Sequence, residues 1–332
     1  MKSPNLFIFS LPRSGSTLLV SLLNSNKNIR ILNDTFIYRT FIKRINESDL
    51  NAFKRRVIKF ISRKYPPVIE ILSRLRNNNK TAPVYSHPFY KKLTDPDQDI
   101  SISQRKKFLK ELIWFYDNTI KLLKTEWLIE YKNNLKFYNM NKMDKNITVK
   151  DFLNSIFDLI FDDEGNSFDI IGEKTPFNLH INKWLNRLYP DSKKIILIRN
   201  PVTNIGSMVN HGQEFNLALQ HYLNSYRLNF KNLYYKKNNI FVRYEDLVYN
   251  TEKTIESIYN YLDIKKHSIS MNLNSNIRND YVGNKIDPER DRQKFALLSK
   301  KEKENIYSSC KEIIETYYPD WNKFYPEYKI KK

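Results

Sequence analysis

Apolar residues follow two rhythms along the chain. Four runs are short and almost unbroken: Leu6-Phe7-Ile8-Phe9, Ile170-Ile171 behind Asp169, Ile195-Ile196-Leu197-Ile198, and Ile240-Phe241-Val242. Runs this brief, without polar interruption, predict strands buried on both faces. Between them the apolar positions recur at helical spacing. Leu18, Leu19, Leu22 and Leu23 follow the first run, Leu179, Trp184, Leu185 and Leu188 the second, and Ile255, Ile258 and Leu262 the fourth. Thr175-Pro176 and Asn200-Pro201 each pair an N-cap residue with proline at the first helical position, and a further helix is expected to start near Thr251. Strands alternating with helices predict an α/β fold, a parallel sheet flanked by helices. Every strand-to-helix loop then lies at the carboxyl edge of the sheet, where such folds bind ligands.

Residues from about 36 to 147 break the alternation. Leu109, Leu112, Ile113, Tyr116, Ile120 and Leu123 mark a helix face, and no buried strand is evident. The segment reads as a helical insertion lying over the carboxyl edge of the sheet, within one α/β domain spanning 1–332. A lid and a set of scaffold helices with a basic outer face are both compatible with it. Thr148 with Asp151, and Ser299 with Glu302, open later helices as capping boxes.

Composition narrows the field less than pattern does. The 332 residues carry 56 Lys+Arg against 36 Asp+Glu, a formal charge of +20. That charge attracts polyanions, but it is spread along the chain in solvated runs such as Arg76–Lys80, so it names no partner. One cysteine, Cys310, excludes an internal disulfide and a cysteine-based metal site, and is placed on a helix face. No stretch has the roughly 20 apolar residues of a membrane span. Pro12 and Arg13 interrupt the N-terminal apolar run, which argues against a signal peptide. A soluble cytoplasmic protein is expected.

The chemistry concentrates in the loops. Pro12-Arg13-Ser14-Gly15-Ser16-Thr17 joins the first strand to a helix, so its backbone N–H groups face an anion at the positive end of the helix dipole. Gly15 permits close backbone approach, Arg13 brings a charge, Ser16 and Thr17 bring hydroxyls, and Ser14 belongs to the same loop. This is not the Gly-x-x-x-x-Gly-Lys-Ser/Thr loop of magnesium nucleotide enzymes. Arg199 ends the third apolar run, Ser207 lies about two turns into the next helix, and Lys174 ends the second run. A guanidinium and a hydroxyl so spaced suit a second phosphate.

The succession PRSGST, GEKTP, ILIRNP with Ser207, and RYEDL resembles the sulfotransferases, most of all the tyrosylprotein sulfotransferases and bacterial sulfotransferase-domain proteins. The likeness covers roughly residues 5–35 and 168–265, with a weaker one out to about 318. It implies a P-loop-type sheet and transfer of a sulfuryl group from 3′-phosphoadenosine 5′-phosphosulfate (PAPS) to a hydroxyl or amine, with no metal. By the same resemblance Arg13 to Thr17 bind the 5′-phosphosulfate, Arg199 and Ser207 bind the 3′-phosphate, and Tyr244 lies beside the nucleotide. Lys174 stabilises charge in the transition state. The catalytic base falls on the strand after the loop helix, at Asp34, where the tyrosylprotein enzymes carry a glutamate, one methylene longer. Glu173 is the alternative base, although neighbours on a strand point to opposite faces. Lys285, in the Tyr281–Lys285 segment, matches a basic loop that returns to the 3′-phosphate.

Two other readings remain open from residues alone: a P-loop kinase requiring magnesium, and a non-catalytic basic protein that binds polyanions such as RNA. The acceptor is a peptide tyrosine, a carbohydrate, or a small alcohol or amine; no nucleic-acid partner is expected. His180 and His211 are read as helix-surface or core-edge residues.

Overall fold

The computed structural model describes residues 3–46, 95–123, 126–136, 147–161, 167–230, 233, 238–265, 293 and 296–321. Among the described residues five strands form one parallel sheet: β1 (Leu6–Ser10), β2 (Ile29–Asn33), β3 (Ile170–Lys174), β4 (Lys193–Ile198) and β5 (Asn239–Arg243), in the order β2-β3-β1-β4-β5. The four apolar runs supply β1, β3, β4 and β5. The remaining strand, β2, sits at the edge beside β3.

Alternation along β1 explains why both faces are covered. Phe7 and Phe9 point into one hydrophobic cluster, Leu6 and Ile8 into the other. Helices α1 (Ser16–Asn24), α9 (Tyr244–Tyr249) and α10 (Thr251–Leu262) cover the Leu6 face through Leu18, Leu22, Leu247, Ile255 and Ile258. The Phe7 face is covered by α2 (Ile37–Asn46), α3 (Ile102–Leu123), α4 (Glu126–Lys136) and α5 (Val149–Phe161). It is also covered by α6 (Asn182–Leu188), α7 (Pro201–Asn210), α8 (Phe215–Ser225), α11 (Lys300–Ser309) and α12 (Lys311–Tyr317). Among the described residues no helix is long and apolar enough to cross a membrane.

The described helices of the insertion, α2 to α4, contribute side chains to the core. Leu112 and Tyr116 of α3 are fully buried, and Phe41, Phe108, Phe152 and Trp184 make a continuous set of ring contacts. At the sheet end of this layer, Tyr116 Oη donates to Thr35 O at 2.5 Å, and Tyr131 Oη accepts the Asn33 N–H at 3.2 Å. Helices α3 and α4 therefore rest on the carboxyl end of β2.

Local starts and stops differ from expectation in three places. Pro176 opens a 3₁₀ segment, Pro176–Ile181, and the α-helix begins only at Asn182. Thr175 makes no cap, because its hydroxyl donates to Glu173. The RYED segment is already helical, with Tyr244 at the first position of α9 and α10 following at Thr251. Cys310 is buried at the junction of α11 and α12. By contrast, Asn200 does cap α7, accepting from Val202 N and Thr203 N, and Ser299 with Glu302 closes a capping box.

Candidate active site

The strand order places a topological switch point between β1 and β4, since the chain leaves these neighbours in opposite directions. The loop after β1 lies there. It is tightly bent: Arg13 and Gly15 both take left-handed φ, 69° and 85°, and Ser14 N–H donates to Leu11 O. Glycine is required at 15 for a second reason. A Cβ there would come within 2.2 Å of Tyr244 Cδ2 and 2.4 Å of Cε2. The Tyr244 ring thus packs directly on the loop backbone at the entrance to α1.

Side chains from the neighbouring strands knit the loop in place. Arg13 Nε donates to Ser207 Oγ at 3.3 Å. Arg199 donates one guanidinium N–H to Arg13 O at 2.6 Å and Nε–H to Thr203 Oγ1 at 3.2 Å. Its guanidinium carbon lies 4.3 Å from the centre of the Tyr244 ring, a cation–π contact. Arg199 and Ser207 are 3% and 0% exposed. Residues predicted from three separate loops, Arg13, Gly15, Arg199, Ser207 and Tyr244, therefore share one connected network. Ser16 and Thr17 lie in the first turn of α1, with Ser16 buried and Thr17 partly so.

Asn204 is a member that sequence reasoning missed. Its amide donates to Ser14 Oγ at 3.0 Å and to Pro12 O at 3.3 Å. The signal was its spacing: Asn204 stands three residues before Ser207 on α7, so the two share a helix face.

A second group lies at the carboxyl ends of β2 and β3. Lys174, 1% exposed, reaches Asp34 with Nζ–Oδ1 at 3.1 Å. Asn33 and Lys174 are register partners, and Asp34 N–H donates to Lys174 O at 2.6 Å, extending the ladder one residue past β2. Asp34 then turns the chain with φ 54° and leaves its side chain about a quarter exposed. The pair sets the Asp34 carboxyl against the Lys174 amine at the carboxyl end of the sheet.

Glu173 points the other way, toward the Phe7 face, and is 0% exposed. It accepts from Thr35 Oγ1 at 2.8 Å, from Thr175 Oγ1 and from Asn178 Nδ2. Burial pushes its carboxyl up to about 7, against the pull of those hydroxyls and of the Lys174 charge. Its hydrogen-bond partners enclose Glu173 on the side of the sheet away from the Lys174–Asp34 pair. His180, on the 3₁₀ segment, stacks on His221 at 6.3 Å. Burial holds their pKa values down to about 3 and about 4, so both are neutral near pH 7. Lys285 lies outside the described residues.

Residues 4–268 match the model described as "Sulfotransferase family". No curated protein matches. Among solved structures, the chain is similar to the sulfotransferase domain from the curacin biosynthetic pathway, with 15% identity, 94% of this chain and 99% of that one covered, and a TM-score of 0.47. It is similar to sulfotransferase STF9 from Mycobacterium avium, with 13% identity, 96% and 78% covered, and a TM-score of 0.45. For the sulfotransferase domain of the Synechococcus PCC 7002 olefin synthase the values are 20%, 90%, 88% and 0.41. Since the family match takes in all five strands and both groups of side chains at their carboxyl ends, the chain belongs to the sulfotransferase family.

Proposed function

We propose that this sulfotransferase moves a sulfuryl group from PAPS to a hydroxyl or amine, with Arg13 to Thr17, Arg199, Ser207 and Tyr244 holding the donor and Asp34 acting as base. The observation that carries the reading is the pairing of two groups along one sheet edge. One is a basic, N–H-rich cradle at the β1/β4 switch point; the other is a Lys174–Asp34 pair at the ends of β3 and β2. These residues fit a donor with two separated anionic ends, which an N–H cradle and fixed guanidinium groups bind well.

When bound, the donor supplies a sulfuryl group on a good leaving group. Arg13 and the first N–H groups of α1 hold the phosphosulfate, while Arg199 and Ser207 hold the 3′-phosphate. Asp34 accepts the proton from the acceptor as its oxygen or nitrogen bonds to sulfur. The bond from sulfur to the bridging oxygen breaks at the same time, and Lys174 offsets the charge that develops there. Adenosine 3′,5′-bisphosphate and the sulfated acceptor result. Fixed cations in a dry site supply the electrostatic part, and a positioned base adds about 10²- to 10⁴-fold. No metal is needed in this scheme. On this reading the insertion at about 36–147 is the acceptor-side lid of a single domain, with α3 and α4 beside Asp34, and peptide tyrosine, carbohydrate and small alcohols or amines are the classes to screen.

Calorimetric titration tests the donor. Adenosine 3′,5′-bisphosphate should bind without magnesium, and more tightly than Mg·ATP or RNA. Preference for Mg·ATP would indicate a kinase, and salt-sensitive RNA binding alone a polyanion binder. Asp34→Asn should keep the bisphosphate affinity and lose donor-dependent turnover. Retained turnover would place the base elsewhere.

A further inference from the structure

Asp34 and Phe36 both take left-handed φ, 54° and 56°, although neither is glycine. Such conformations persist only where surrounding contacts enforce them. The residue between them, Thr35, is 0% exposed and is held from two sides. Tyr116 donates to its carbonyl, and its hydroxyl donates to Glu173 Oε1. The same carboxylate oxygen accepts from Thr175, and Thr175 Oγ1 in turn accepts the Phe36 N–H at 3.4 Å. The other oxygen accepts from Asn178. One buried side chain thus holds the residue after Asp34 and the residue after Lys174.

We infer that Glu173 is a positioning residue: its carboxylate ties the loop after β2 to the loop after β3 and so sets Asp34 against Lys174. This inference rests on the proposed roles of Asp34 and Lys174. Glu173 itself does not face the reacting atoms, since it lies on the Phe7 face of β3 and is enclosed. The grip does not depend on ionisation. Asn178 Oδ1 is buried without a hydrogen-bond partner, so a proton on Glu173 Oε2 is met by turning the Asn178 amide, while Oε1 keeps both threonines. Charged and titratable groups that feel Glu173 are Asp34 and Lys174 beside it, with Tyr38, Tyr116, Tyr131 and Tyr189 from the covering layer. All four tyrosines are pushed upward by burial and stay protonated.

The same amide turn makes Glu173→Gln the conservative variant and Glu173→Ala the disruptive one. Displacement of a reacting group by about 1 Å costs on the order of 100-fold. Glu173→Ala should therefore lower kcat about 100-fold per molecule able to bind adenosine 3′,5′-bisphosphate. Its bisphosphate affinity should stay within about threefold, because the donor cradle lies on β1, β4 and β5. Glu173→Gln should restore kcat to within several-fold of the parent. Thr35→Val, which leaves no buried charge unanswered, should lower kcat about tenfold and provides the readout should the alanine variant fail to fold. Amide hydrogen exchange at Phe36 and Ile37 should quicken in Glu173→Ala and Thr35→Val. An unchanged kcat per binding-competent molecule, with unchanged exchange at Phe36 and Ile37, overturns the inference. Loss of turnover in Glu173→Gln as complete as in Glu173→Ala also overturns it, by making the carboxylate the proton acceptor. Failure of the unmodified protein to bind the bisphosphate would sink the functional proposal instead, and the exchange measurement would still decide whether Glu173 holds the two loops.

Discussion

Gly15→Ala is the sharpest test of how the donor cradle is assembled. Alanine at φ +85° costs roughly 1–2 kcal/mol of backbone strain. Its Cβ would stand 2.2 Å from Tyr244 Cδ2, where carbon atoms normally keep about 3.5–4.0 Å, so the ring must retreat by more than an ångström. Tyr244 is 5% exposed and carries Arg199 over its face, so the retreat disturbs the guanidinium that holds Arg13 O. Overpacking of a buried site adds about 1–3 kcal/mol. A sum near 3 kcal/mol predicts a melting temperature several degrees lower. Adenosine 3′,5′-bisphosphate should bind at least tenfold more weakly by calorimetry. The decisive measurement is a double-mutant cycle. In a Tyr244→Ala background the overlap is gone, and Gly15→Ala should then cost only its backbone strain. If Gly15→Ala costs the same with and without the Tyr244 ring, the packing argument is wrong.

Arg199→Ala should weaken bisphosphate binding about 10- to 100-fold, the worth of a charge-assisted contact. Equal affinity in calorimetry would remove Arg199 from the donor site. Glu173 makes stability depend on pH with a definite sign. Its carboxyl rises from 4.5 in the unfolded chain to about 7 in the fold, so the folded state holds the proton more tightly. The resulting stability is complete below pH 4.5 and is lost as pH climbs through 7, an interval worth about 3 kcal/mol. Urea denaturation at pH 5 and pH 8 should show that loss in the parent and a flatter profile in Glu173→Gln; parallel profiles would show that another group is responsible.

Much of the sheet was legible because Leu6–Phe9 of β1 and Ile195–Ile198 of β4 are buried on both faces and leave unbroken apolar runs, whereas β3 showed only Ile170-Ile171 before its buried Glu173 and Lys174. Strand β2 entered only through the resemblance, since as an edge strand of five residues it carries Arg30 and Asn33 among its apolar positions. Thr175-Pro176 was misread as an ordinary cap because nothing local reveals that Glu173, two residues back, claims the threonine hydroxyl. In the site, the cations at strand ends could be read from the sequence, because strand termini locate themselves. Asp34 came from resemblance alone, and only three-dimensional pairing links it to Lys174 across 140 positions of chain. The buried bonds of Asn204 and Thr35 are non-local too, joining residues 190 and 138 positions apart.

The order β2-β3-β1-β4-β5 also works as a length standard. Lys174 follows from β3 and Arg199 from β4, with β1 between them, so their backbones stand two interstrand spacings apart, about 10 Å. Backbone hydrogen bonds set that interval, and no side-chain substitution retunes it. On the proposed reading, evolution can rebuild the inserted helices for a new acceptor while the gauge that measures the donor stays fixed.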